Sequence, residues 1–141
     1  MSKFVYDPAI PSTVKRELVK ELKPFGWLVP GWCQEVAVTW NPQGPPDGTI
    51  ITCASMYEYR KVQLTFYPLF LSEIGDRREH VIHDLLHAFV SVLCDFAFDT
   101  IDRLVPHEEA PKFREALLEE LRVRNESCVQ DLAHCLAGKL P

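Results

Sequence analysis

At 141 residues, with 47% apolar and 25% charged side chains, the chain has the size and balance of one globular domain with its own core. That composition excludes disordered, collagen-like and coiled-coil classes, and a net charge of -5 with no clustered basic patch argues against a nucleic-acid partner. Five cysteines, Cys33, Cys53, Cys94, Cys128 and Cys135, are odd in number and never in C-x-x-C spacing, which excludes a disulfide framework and a cysteine zinc ribbon.

The N-terminus has no basic segment followed by an apolar one, and no apolar run approaches the roughly 20 residues of a membrane span. The expectation is a cytoplasmic protein with no membrane partner. Ser12-Thr13 precedes Val14, Leu18, Val19 and Leu22 at helical spacing, and Pro24 and Gly26 close the run, which predicts an amphipathic helix over 12–23. From Trp32 the period becomes two: Trp32, Val36, Val38 and Trp40 alternate with Cys33, Glu35, Ala37 and Thr39, a strand with one buried face. The stretch 41–48, with Pro42, Gly44, Pro45, Pro46 and Gly48, reads as a turn. A second strand is predicted over 49–57 and a third over 61–67, where Val62, Leu64 and Phe66 alternate with polar neighbours.

After Gly75 the helical period returns. Val81, Ile82, Leu85, Leu86, Phe89, Val90, Leu93 and Phe96 give an apolar surface too wide for an exposed helix, so a central, largely buried one is expected. Beyond Pro106 and Pro111, the residues Phe113, Leu117, Leu121, Val129, Leu132 and Leu136 carry a long last helix ending near Gly138. The fold class is therefore α+β, a single domain over 1–141 with an N-terminal helix, a three-stranded sheet, a buried helix and a long C-terminal helix, the helices on one face of the sheet.

The buried helix carries His83, Asp84 and His87. Positions i and i+4 share a helical face, so both imidazoles can aim a ring nitrogen at one ion roughly 2.0 to 2.1 Å away. Ile82, Leu85, Leu86, Phe89 and Val90 surround them, and burying unpaired imidazoles beside a carboxylate costs several kcal/mol without a partner. A metal removes that cost. His80 is seven residues from His87, a rise of about 10 Å, and Cys94 is as far on the other side, so neither shares the ion. For a third ligand, Glu126 lies in a stripe with Val123, Val129 and Ala133 that faces the core. Against this stands a carboxylate simply paired with Arg122 or Arg124. His107, in a Pro-bounded turn, and His134, on a different face, are rival ligands.

The run Arg78-Glu79-His80-Val81-Ile82-His83-Asp84-Leu85-Leu86-His87 resembles the active-site helix of zincin metallopeptidases, with H-D-x-x-H where the family has H-E-x-x-H. The segment Asn125-Glu126-Ser127-Cys128-Val129-Gln130-Asp131-Leu132 resembles the later helix that supplies a glutamate ligand in the gluzincin type. The element order is similar to that of minimal zincins of phage and SprT-like proteins, from about Trp32 onward. The resemblance implies a zincin-like domain binding Zn2+ through His83, His87 and Glu126, an open coordination position for water, and a protein or peptide as substrate or partner. It also implies that the strand Val62 to Phe66 is the edge that pairs with an extended substrate.

Asp84 is the departure. It stands where the family has its general base, and aspartate is one methylene shorter, withdrawing the carboxylate by roughly 1 to 1.5 Å, which can cost on the order of a hundredfold in rate. The expected function is a zinc-dependent peptidase, weak for that reason; the alternative is an inactive zincin-fold interaction protein with a structural or vestigial metal. His83-Asp84 also resembles the His-Asp doublet of HD-type metal phosphohydrolases, but that class is all-helical and needs an upstream histidine, and none precedes His80.

Overall fold

Four strands, β1 (Phe4–Tyr6), β2 (Glu35–Trp40), β3 (Ile51–Met56) and β4 (Lys61–Phe66), form one mixed sheet in the order β1-β2-β4-β3. The computed structural model describes residues 3–45, 47–72, 75–108 and 110–138. β1 and β4 run parallel to β2, and β3 runs antiparallel to β4. Register places Phe4 beside Val36, Val36 beside Val62, Val38 beside Leu64, and Phe66 between Trp40 and Ile51. Because side chains alternate, these apolar residues share one face, where Phe4, Val36, Val38, Val62, Leu64, Phe66 and Ile51 are all buried. The other face carries Glu35, Ala37, Thr39, Gln63 and Thr65, with the Thr39 and Thr65 hydroxyls 2.9 Å apart across the strands. A sheet with one apolar face takes helices on that face only, as expected for the α+β class.

β1 was not expected from the sequence. Three residues are too few for a period of two to show, and the segment is a strand because β2 offers it a parallel edge: Val36 N–H donates to the Lys3 carbonyl at 2.8 Å and Asp7 N–H to the Val38 carbonyl at 3.0 Å. The Asp7 carboxylate then accepts from the Ala9 amide at 2.7 Å and turns the chain toward α1 (Ser12–Leu22). α1 buries Leu18 and Leu22 completely. It ends one residue before the predicted boundary because Pro24 draws the chain into a 3-10 segment, Lys23–Leu28, that buries Phe25 and Leu28. In the turn after β2, Gly44 and Gly48 have φ of 54° and 80°, values that glycine alone adopts without strain. Pro46, part of that predicted turn, lies outside the described residues.

The expectation that Val62 to Phe66 is an edge strand is corrected. β4 is hydrogen-bonded on both sides, by β2 and β3, and the free edge beside the helices belongs to β3. The short α2 (Leu69–Ser72) buries Phe70 edge-on against Phe66, 4.8 Å between ring centroids.

α3 (Arg77–Leu104) and α4 (Pro111–Ala137) form an antiparallel pair, with Pro111 at the first helical position of α4. The expectation of a largely buried helix holds only for the first three turns of α3: Val81, Ile82, Leu85, Leu86 and Ala88 are buried, and no described residue beyond Ala88 on that helix is. On α4 Val129 and Ala133 are buried in the core, and Leu136 and Ala137 pack partly buried against it. By length and composition α3 could cross a membrane, with a mean hydropathy of 1.6 over its most apolar 18 residues. Part of that window is instead the centre of the core.

Candidate metal centre

The buried start of α3 fixes the histidines. Val81, Ile82 and Leu85 anchor the helix on the sheet, and the intervening His83, Asp84 and His87 turn toward the seam between β3 and α4. The Nε2 atoms of His83 and His87 are 3.0 Å apart, with the rings nearly perpendicular at 73°. Glu126 reaches across from α4, one carboxylate oxygen 3.6 Å from His83 Nε2 and the other 3.4 Å from His87 Nε2. Ligands at roughly 2.0 to 2.1 Å in a tetrahedron are about 3.3 Å from one another. With one ligand atom taken from each residue, the three atoms lie within 4.8 Å of one another, so a small inward shift of the Glu126 carboxylate would bring one oxygen to that separation from both rings.

The rival partners of Glu126 are taken. Arg122 pairs with Glu119 at 2.6 Å and Arg124 with Glu120 at 2.6 Å, both along the outer face of α4. His134 lies 3.8 Å from Glu79, and His107 lines a separate surface cavity with Lys112 and Glu115, so neither rival histidine joins the cluster. Among the described residues, His83, His87 and Glu126 are the one group of three His, Cys, Asp or Glu side chains close enough to hold an ion.

Burial, reinforced by the neighbouring His87, pushes the His83 pKa down, and at 3.0 Å the two Nε2 atoms can share one proton in a hydrogen bond. The inner atom of the His83 ring, Nδ1, is buried without a hydrogen-bond partner. Gln130 lines a small cavity with His83, and its amide donates to Glu79 at 2.9 Å. A donor set of two imidazole nitrogens and a carboxylate is a set zinc takes in catalytic sites.

Asp84 shares the groove. Burial, with the Glu126 charge second, pushes its carboxyl up to about 7. The groove, about 700 Å³, runs along α3 between β3 and the Asn125-Glu126 step of α4. Its wall on the sheet side is the stretch from Gly48 through Cys53 to Ser55. His80 lines it one turn before His83, away from the ligand triangle. Cys94 lines it two turns beyond His87, likewise outside the triangle.

No match to a known protein family, curated protein or solved structure was found. The chemistry of the site must therefore be read from its own residues.

Several groove residues were not singled out from the sequence. Ser91, Asp95 and Phe98 continue the Asp84–His87 face at spacings of four, four and three, a helical signal that was present. Cys53 and Ser55 carry no such signal, since only the pairing of β3 with β4 brings them beneath α3.

Proposed function

We propose that the protein is a zinc-dependent peptidase of the zincin type. The observation that carries the reading is the cluster of His83, His87 and Glu126 lining a groove that also holds the half-buried carboxyl of Asp84. A zinc ion bound there would supply Lewis-acid polarisation and acidify water to near neutrality. His83 and His87 would hold the ion from one helix and Glu126 from the next, so the α3–α4 contact sets the site. Asp84 would take the proton of the attacking water and return it to the leaving amine. The free edge of β3, rather than β4, would hold an extended peptide by main-chain pairing, leaving its side chains to the groove and to solvent alternately. The compartment we propose is the cytoplasm, on five cysteines of which none is paired.

A second reading is favoured by one feature, the aspartate itself. With the carboxylate set back by roughly 1 to 1.5 Å, proton transfer loses alignment, and a zincin fold that keeps its metal for stability or partner binding is the alternative.

The two readings separate in one assay. Zinc-loaded wild type, Asp84→Glu, Asp84→Asn and His83→Ala are compared on an unfolded protein substrate. The peptidase reading expects slow cleavage by wild type, a gain on the order of a hundredfold in Asp84→Glu, and none in the other two. If Asp84→Glu keeps its zinc and fold and cleaves nothing, the interaction-protein reading replaces it.

A further inference from the structure

The apolar seam of α3 does not stop where the core stops. Ile82, Leu86, Phe89, Leu93 and Phe96 follow at spacings of four, three, four and three, the heptad stripe by which helices pair. Ile82 and Leu86 are buried inside the domain, but Phe89 is 46% exposed, Leu93 73% and Phe96 70%. From Phe89 to Leu104 on α3, and from Pro111 to Cys128 on α4, no described residue is buried. Here the two helices pair without an interior. Two helices do not enclose a core; two such pairs do.

The make-up of the bare face points the same way. Tyr57 and Tyr59, in the turn after β3, line a cavity with Val92 and Phe96 and extend the stripe sideways. With Phe89, Leu93, Phe96 and the 75%-exposed Leu104 they leave large aromatic and aliphatic side chains in water, the residue types from which the buried centre of an interface is built. At 100° per residue the stripe itself lies about half a turn from Asp84, Ser91 and Phe98, while the cavity of Tyr57 and Tyr59 meets the metal groove at Ser55 and Asp95, which line both.

We propose that Phe89, Leu93 and Phe96 form a self-association surface, on which two copies pair α3 against α3 about a two-fold axis and close a four-helix bundle with both α4 helices. A patch used once by each of two identical partners is self-complementary and closes without growing further. A bilayer is the other apolar occupant, but helices that lie on membranes carry Lys and Arg beside the apolar face. Here the exposed charged residues beside the stripe are Asp95, Asp99 and Glu58 against Arg60 and Arg103, so acids outnumber bases. Their net charge repels an anionic lipid surface. The inference is independent of the metal and of any peptidase activity.

Sedimentation equilibrium of the full chain at roughly 50 µM should give twice the 16.2 kDa of one chain. Leu93→Glu and Phe96→Glu, each placing a charge in the seam, should weaken the dimer on the order of a hundredfold or more. Hydrogen exchange on the unsubstituted protein is a second measurement that needs no variant: amides over 89–100 should gain at least about tenfold protection between roughly 1 and 50 µM. A single-chain mass at the higher concentration, or a mass that keeps growing with concentration, overturns the proposal. So does exchange over 89–100 that does not change with concentration, or a monomer that cosediments with phosphatidylcholine vesicles, which would give the face to a bilayer.

Discussion

The Nε2 atoms of His83 and His87 face each other at 3.0 Å, and both face the carboxylate of Glu126, which comes from a different helix 39 residues further along the chain. A pair of histidines on one helix presents two ligands whatever the rest of the fold does; the third depends on the α3–α4 packing. Protein purified in zinc-containing medium should therefore retain about one zinc per chain through dialysis. Glu126→Ala should lose more than the ~100-fold in affinity that an outer partner is worth, and His87→Ala should hold no stoichiometric zinc. Competition against a chromophoric chelator measures all three. Wild type that keeps well under one equivalent would remove the basis for a metal centre.

Gln130 is the residue placed to steer His83. It lines a small cavity with His83, whose Nδ1 has no partner, and its amide donates to Glu79 at 2.9 Å. A ligand imidazole normally gives its second N–H to such a group, which fixes the tautomer and the ring orientation. Gln130→Ala should cost about 10- to 100-fold in zinc affinity while leaving the melting temperature of the metal-free protein within a few degrees, since the side chain is exposed. Equal losses in both quantities would mean that Gln130 only packs the helices together.

How much of this was legible depends on whether the signal was local. The H-D-x-x-H spacing is local, and it located the two histidines; alternation located β2 and β4 because Val36 and Val38 of one and Val62, Leu64 and Phe66 of the other are buried on a single face. β1 was missed because Phe4, Val5 and Tyr6 are a strand only through the edge of β2. The edge strand was misplaced for a similar reason: order in a sheet is set by which hydrophobic rows align, and Val62 and Leu64 of β4 take Val36 and Val38 on one side while its other edge takes β3. The wide apolar surface of α3 was read as burial. In the structure its far half has nothing to bury against within one chain, and pattern alone does not distinguish a core from an interface.

Arg77 locks the start of the helix that carries the histidines. Its guanidinium donates to the Phe70 carbonyl at 2.8 Å and to the Leu71 carbonyl, lies 5.5 Å from the centroid of the Phe70 ring, and sits 3.6 Å from Glu21 and 3.8 Å from Glu17 on α1. Arg77→Ala should destabilise by about 2 to 4 kcal/mol, because buried carbonyls lose their donors and Phe70 loses a packing wall. Arg77→Lys should recover less than half, since an ammonium does not reach both carbonyls as a planar fork does. Urea titration at one pH measures both.

Cys53 reports on the opposite wall of the groove. It sits on β3 opposite Leu64, and burial, with the Asp84 charge second, pushes its thiol up to about 12 from an ordinary 9.0. Between those values the unfolded chain has released the proton and the folded one has kept it, so the native state binds more protons and its stability falls as pH rises. The slope approaches 1.4 kcal/mol per pH unit for a full difference of one proton, or on the order of 2 kcal/mol lost by pH 11. Tyr6, pushed up to about 12 by burial, adds a loss of the same sign above pH 10, so the comparison is with Cys53→Ala rather than with neutral pH alone. The difference in unfolding free energy between wild type and Cys53→Ala should shift steadily against wild type from pH 9 upward, and Cys53 should be alkylated far more slowly than the exposed Cys128 and Cys135. A pH-independent difference, with Cys53 labelled as fast as those two, would mean that α3 does not close over β3 and that the groove is a wider, wetter cleft than its walls imply.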